Sequence, residues 1–204
     1  MNQLVHRVLQ PYTTTRSDRE SKLGQIGGIV WLTGLSGSGK STMADALDVQ
    51  LNELGYHTYV LDGDNIRAGL NSDLGFSEGD RRESTRRVGE VARLLVDAGL
   101  IVLVAIISPY EKERAAVRRN LPEGCFVEVH CDCPLEVCIT RDVKGLYARA
   151  IAGEIEDFTG VSAPYETPSS PEVYLDTSRM SVDHCVTKVI QGISGWLRRH
   201  NTFV

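Results

Sequence analysis

The sequence predicts an α/β fold in which a mostly parallel central sheet carries helices on both faces. Three observations carry that expectation. Short apolar runs alternate with stretches whose apolar residues recur at helical spacing. One run, 100–107, is apolar at every position, as a strand covered on both faces must be. The first run, from Ile29 to Thr33, leads through a glycine-rich turn into a helical pattern, the opening unit of a crossover connection.

Taken in order, residues 1–27 are polar and without period, and read as an N-terminal arm with one short helix, available to a partner subunit. A single domain over 28–204 follows. After the strand at 29–33, Ala44, Leu47, Leu51 and Leu54 mark a helix from near Lys40, and Gly55 stops it. A second strand at 57–61 ends in Asp62-Gly63-Asp64-Asn65. Val88, Val91, Ala92, Leu95 and Ala98 define a helix over 80–98, closed by Gly99. The strand at 100–107, a helix over 111–120, a strand at 126–131 and a helix over 134–142 come next. Residues 143–170 are broken by Gly145, Gly153, Gly160, Pro164 and Pro168, too long for a passive connection and placed to serve as a lid. A strand at 173–175 and a helix from Val182 to Leu197 complete the domain.

A net charge of −5 disfavours a nucleic-acid or membrane-surface partner, so an anionic substrate would need locally clustered arginines. No signal peptide is visible, and no apolar run approaches the ~18 residues of a membrane helix. A cytoplasmic protein is expected. The five cysteines lack paired spacing and read as reduced thiols. Cys131 and Cys133 have the look of a metal pair, but no second pair stands at ligand spacing, so buried structural thiols are the better reading.

The chemistry begins at Gly34-Leu35-Ser36-Gly37-Ser38-Gly39-Lys40-Ser41, followed by Thr42, which fits G-x-x-x-x-G-K-[ST] between a strand and a helix. Glycines let successive N–H groups turn inward, and the helix start adds its positive end, so main chain and dipole hold a polyphosphate together. Lys40 reaches the β- and γ-phosphates, and the Ser41 hydroxyl ligates Mg²⁺. The fold is thereby sharpened to a three-layer P-loop NTPase with ATP and Mg²⁺ as the donor.

The carboxylates come from the second strand, which favours a small-molecule kinase over a motor or switch. Asp62 is placed to orient or deprotonate an acceptor hydroxyl, with Mg²⁺ reached through water, and Asp64 serves the metal's water shell or the loop. A polar turn is the competing reading. Arg82 and Arg87 read as a solvated, salt-bridged face, whereas Arg67 and Arg81 lie near the strand ends and suit an anionic acceptor. Phe76 and Phe158, in loops, are core anchors singly and a sandwich for a planar base together.

Gly-Leu-Ser-Gly-Ser-Gly-Lys-Ser-Thr at 34–42, Leu-Asp-Gly-Asp-Asn-Ile-Arg at 61–67, Asp-Leu-Gly-Phe-Ser at 73–77, Ile-Ser-Pro-Tyr at 107–110, and Lys-Gly-Leu-Tyr, Gly-Glu-Ile and Asp-Phe-Thr-Gly within 144–160 resemble adenylylsulfate kinase. The resemblance runs from about residue 24 to 177. It implies phosphorylation of the 3′-hydroxyl of adenosine 5′-phosphosulfate (APS) by MgATP, giving 3′-phosphoadenosine 5′-phosphosulfate (PAPS) and ADP. By position it implies Asp62 as catalytic aspartate, Arg67 and Arg81 as phosphosulfate ligands and Phe76 with Phe158 as adenine-stacking rings. It also places Lys144 near the ATP phosphates, Arg141 at the ATP adenine, Ile107 at the acceptor, and Ser108 as a substrate contact, strand-end cap or phosphoacceptor. The resemblance implies a homodimer and leaves docking to an ATP sulfurylase open. Two departures stand out: Ser84 where the family has Asn, and Ala105-Ile106 where Ser-Phe is common. Both bear on acceptor affinity, and Ser84→Asn is expected to improve it. Ser84 also keeps open a same-fold kinase for another nucleotide-like hydroxyl; a non-catalytic nucleotide-binding subunit would need the catalytic groups to be missing, and they are present.

Overall fold

The computed structural model describes residue 10 and residues 12–197. Five strands form one sheet in the order β2-β3-β1-β4-β5, and every pairing is parallel. They are β1 (Gly28–Thr33), β2 (Thr58–Asp62), β3 (Ile101–Ala105), β4 (Phe126–Asp132) and β5 (Val173–Asp176). The central strands β1 and β3 are buried at every position, which is why their sequences run apolar without alternation.

Eight helices accompany the sheet among the described residues: α1 (Arg16–Leu23), α2 (Lys40–Glu53), α3 (Gly63–Arg67), α4 (Glu78–Asp97), α5 (Glu111–Arg119), α6 (Leu135–Arg141), α7 (Leu146–Ile151) and α8 (Val182–Gly192). One core joins Val30, Leu32 and Leu103 to Leu47 and Leu51 of α2 and Val186 and Val189 of α8. The other joins Trp31, Val102 and Val104 to Val88, Ala92 and Val96 of α4 and Val117 of α5. Alternate residues of one strand therefore feed opposite layers, the geometric consequence of period-two side chains. A third, smaller cluster of Cys133, Cys138, Tyr147, Ile155 and Phe158 holds the lid segment to α6.

Several elements differ from the sequence reading. The helix of the arm, α1, docks on its own domain: Arg19 pairs with Asp97 at 3.0 Å, and Arg16 donates to the Gly27 carbonyl at 2.6 Å. Gln25 seals the joint by donating to the Gly99 carbonyl and accepting from the His57 N–H. Residues 1–9 and 11 of the arm lie outside the described residues. Strand β3 ends at Ala105, so Ile106 and Ile107 belong to its exit loop although they are as apolar as the strand. Asp62-Gly63-Asp64-Asn65 is the start of α3, whose N-terminus Asp62 caps, a role open to any aspartate in a turn-like sequence. The lid carries a helix of its own, α7, and the last helix stops at Gly192 before a 3₁₀ turn at Ser194–Trp196.

Candidate active site

The carboxyl ends of β1, β2 and β3 open into one cavity of about 680 Å³, where a parallel sheet places its ligands. Strand β1 feeds the glycine loop. Gly34 sits at φ 151°, and a Cβ there would stand 2.5 Å from the Cys131 carbonyl oxygen, so only glycine closes this turn. The loop has two sides. Ser36, Gly37, Gly39, Lys40, Ser41 and Thr42 face the cavity. Gly34, Leu35 and Ser38 form its back, with Leu35 against the lid cluster and Ser38 fully buried.

Lys40 opens α2 and is buried, its ammonium donating to the carbonyls of Gly34 at 3.0 Å and Leu35 at 2.6 Å. Burial pushes its pKa down to about 8, so the charge is held at neutral pH but loosely. Ser41 donates to Asp62 Oδ2 at 2.6 Å, which brings the loop's last hydroxyl against the tip of β2. The other oxygen of Asp62 accepts the Asp64 N–H at 2.9 Å, so the carboxylate is fixed at both ends. Asp64 forms an ion pair across the cleft with Lys144 of the lid.

Two guanidiniums face the cavity beside Phe76: Arg67 lies 4.5 Å and Arg81 5.5 Å from its ring centroid. Their direct partners are neutral. Arg67 donates to the carbonyls of Leu74 and Gly75, and Arg81 to those of Phe76 and Asp157. Among the described residues no carboxylate lies in ion-pair range of either, whereas Arg82, Arg86 and Arg87 are paired with Glu78, Glu83 and Asp73 on the solvated face. Burial and the nearby Arg67 push Arg81 down to about 10, still cationic at neutral pH. Two like charges held over one ring with no carboxylate in ion-pair range suit an anion.

Phe158 also lines the cavity but is almost fully buried, its ring edge-on to Tyr147 with centroids 5.1 Å apart. Ile107 and Ser84 line the wall between β3 and α4. Ser84 accepts a hydrogen bond from the Asn71 side chain at 2.9 Å, and Asn71 is buried with its own amide oxygen unpartnered. Arg141 donates to the Gly37 and Thr177 carbonyls beside the glycine loop.

Ser108, the sequence candidate at the exit of β3, lines the cavity. It is buried at φ 40°, and its hydroxyl accepts from Trp31 Nε1 at 3.0 Å and donates to Thr33 Oγ1 at 3.0 Å. The hydroxyl is thus tied to two residues of β1. The five cysteines are buried free thiols, and no metal-binding cluster occurs among the described residues.

Sequence reasoning missed Tyr147, whose hydroxyl donates to the Ser36 carbonyl at 2.9 Å and ties the lid to the loop. It also missed Asp142, which caps α7 through the N–H groups of Tyr147 and Ala148. Asp142 stands three residues ahead of the N-cap position of α7, Gly145, so the usual capping signal does not point to it. Arg114 and Asn71 carried no local signal, because their partners are distant in the chain.

No helix among the described residues is long and apolar enough to cross a membrane. The pattern of the adenylylsulphate kinase family matches residues 26–176. Adenylyl-sulfate kinases of Marinobacter nauticus and Citrobacter koseri are 57% and 54% identical, over 90% and 94% of this chain and 92% and 93% of theirs. An APS kinase structure from Mycobacterium tuberculosis, in complex with AMPPNP and APS, superposes with a TM-score of 0.79 at 48% identity, covering 83% of this chain and 99% of that one. A phosphate loop, a capping aspartate at the next strand tip and an unneutralised arginine pair thus stand in a chain that belongs to the adenylylsulphate kinase family.

Proposed function

We propose that the chain transfers the γ-phosphoryl group of MgATP to the 3′-hydroxyl of APS, giving PAPS and ADP. The observation that carries this reading is the sharing of one cavity by Lys40 and Ser41, Asp62, and the Arg67–Arg81 pair over Phe76. The glycine loop takes the polyphosphate of the donor. Arg67 and Arg81 take the phosphosulfate, Phe76 and Phe158 the adenine of the acceptor, and Ile107 and Ser84 its wall. The acceptor hydroxyl then faces Asp62, whose carboxylate receives the proton as the oxygen attacks the γ-phosphorus and ADP leaves. Lys40 and Lys144 supply positive charge to the transferring group, and Arg141 edges the ATP base.

Ser41, exposed, and the half-buried Asp62 carboxylate, paired at 2.6 Å, are hard oxygen donors at the phosphate end of the loop and fit Mg²⁺, Ser41 directly and Asp62 through water. When bound, the ion neutralises charge on the bridging phosphate oxygens. The same reading places the enzyme in the cytoplasm, consistent with five unpaired thiols, and as a homodimer, which sedimentation equilibrium tests.

The deciding assay measures ADP release with APS against AMP and a panel of nucleotide acceptors at micromolar concentration. APS is expected to give the highest kcat/KM. Equal turnover of the others would instead favour a same-fold kinase for another hydroxyl.

A further inference from the structure

Arg114 of α5 is among the largest fully buried side chains, 1% exposed, and lies outside the cavity lining. Its guanidinium spans three separate segments. Nε donates to Glu128 Oε1 on β4 at 2.6 Å, Nη1 to the Ser108 carbonyl at 2.8 Å and Nη2 to the Glu166 carbonyl at 2.9 Å. The carbonyl it grips at Ser108 belongs to a non-glycine residue at φ 40°, a left-handed turn that needs outside support. The carbonyl it grips at Glu166 belongs to the C-terminal root of the lid. That root is sewn to the same place: the Glu166 N–H donates to the Pro109 carbonyl at 2.8 Å, and its carboxylate accepts the Glu111 N–H at 2.7 Å. Tyr165, with its ring 6.0 Å from the guanidinium carbon, meets Thr33 at 3.1 Å through its hydroxyl.

We propose that Arg114 is a positioning residue for the acceptor half of the cleft, acting through the Ser108 turn and the lid root; naming the acceptor as APS rests on the function proposed above. The argument is one of place. The exit loop of β3 runs beside the tip of β2, where Ala105 pairs with Asp62, so Ile107 and Pro109 wall the cavity next to the base. A shift of that loop by a fraction of an ångström misaligns the acceptor hydroxyl, to which in-line transfer is sensitive. The glycine loop and Arg141, which hold the donor, make no hydrogen bond with Arg114. A planar fork is needed because a lysine, a point charge, cannot reach a carboxylate and two diverging carbonyls together.

The test uses the full chain with Arg114→Met and Arg114→Lys, varying APS and MgATP separately, with amide hydrogen exchange on the substrate-free proteins. In Arg114→Met, kcat/KM for APS is expected to fall about 30-fold or more, with KM for MgATP within about threefold of wild type. Exchange at residues 107–111 and 165–167 is expected to quicken about tenfold or more, while β1 and α2 keep their protection. Arg114→Lys keeps the charge beside Glu128 and is expected to fold with a smaller, about five- to tenfold, deficit toward APS; if the methionine variant does not fold, the lysine variant alone decides. Equal losses for both substrates, protection lost evenly across the sheet, or a lysine variant with wild-type APS kinetics would overturn the proposal. If wild type itself does not turn over APS, the function proposed above fails, and the exchange pattern still decides the role of Arg114.

Discussion

Asp62 does two jobs with one carboxylate, and its substitution separates them. Asp62→Ala removes the proton acceptor and the cap of α3, and turnover is expected to fall by about 100-fold or more. Binding of an ATP analogue, followed by calorimetry, is expected to survive because the glycine loop is untouched. Turnover within a few-fold of wild type would remove Asp62 from the base role. Lys40 gives a pH test. Its ammonium is charged below about 8 and loses its proton above, so kcat/KM for MgATP is expected to decline as pH rises through about 8. A flat profile to pH 9.5 would show that the charge is not needed for capture. At Ser84 a hydrogen bond argues for the opposite outcome from the one the family departure suggests. Ser84 is the only partner found for the buried Asn71 amide among the described residues, and a bulkier Asn would displace it. Ser84→Asn is therefore expected to raise the APS KM several-fold, and an improved KM would show that the pair is dispensable.

The lid is the element on which the cleft depends, and two of its fastenings differ in kind. Tyr147 is buried and bonds the loop carbonyl of Ser36, so Tyr147→Phe is expected to lower stability by about 1 kcal/mol, read as a shift of the denaturation midpoint. The Lys144–Asp64 pair is half-exposed on both sides, where an ion pair contributes about 0–1 kcal/mol. Lys144→Ala is accordingly expected to leave the melting temperature nearly unchanged while slowing transfer. A large drop in melting temperature would instead make the pair a structural staple. Helix α7, which presents Tyr147, exists because Asp142 caps it, and the six-residue helix is too short to hold without that cap and its buried face.

For the molecule as a whole, every cysteine is buried: Cys131 and Cys185 in the core under α2 and α8, Cys133 and Cys138 in the lid cluster, and Cys125 just ahead of β4. Burial pushes the Cys131 and Cys138 thiols up to about 12, which leaves almost no thiolate at neutral pH. The native protein is expected to resist a thiol-specific reagent for minutes and to titrate all five groups once denatured, counted by intact mass. Rapid labelling of the native form would mean that the lid cluster, which holds Cys133 and Cys138, opens readily.

The order of the strands and longer helices, the glycine loop and the carboxylate at the next strand tip are legible in the chain alone. Each is written locally, in apolar periodicity, in glycines at positions that tolerate no Cβ, or in a motif whose residues are neighbours. The departures at α3, α7 and the end of β3 arose where capping and exit geometry outweigh local pattern: Ile106 and Ile107 are as apolar as β3 yet leave it. Folding in three dimensions settles which arginines lack carboxylate partners, that the Ser108 hydroxyl is bound on both sides, and that Asn71 holds Ser84. The fold alone also set Arg114 against Glu128, the Ser108 turn and the Glu166 carbonyl, because these three acceptors lie 14, 6 and 52 residues away, separations that no short-range pattern encodes.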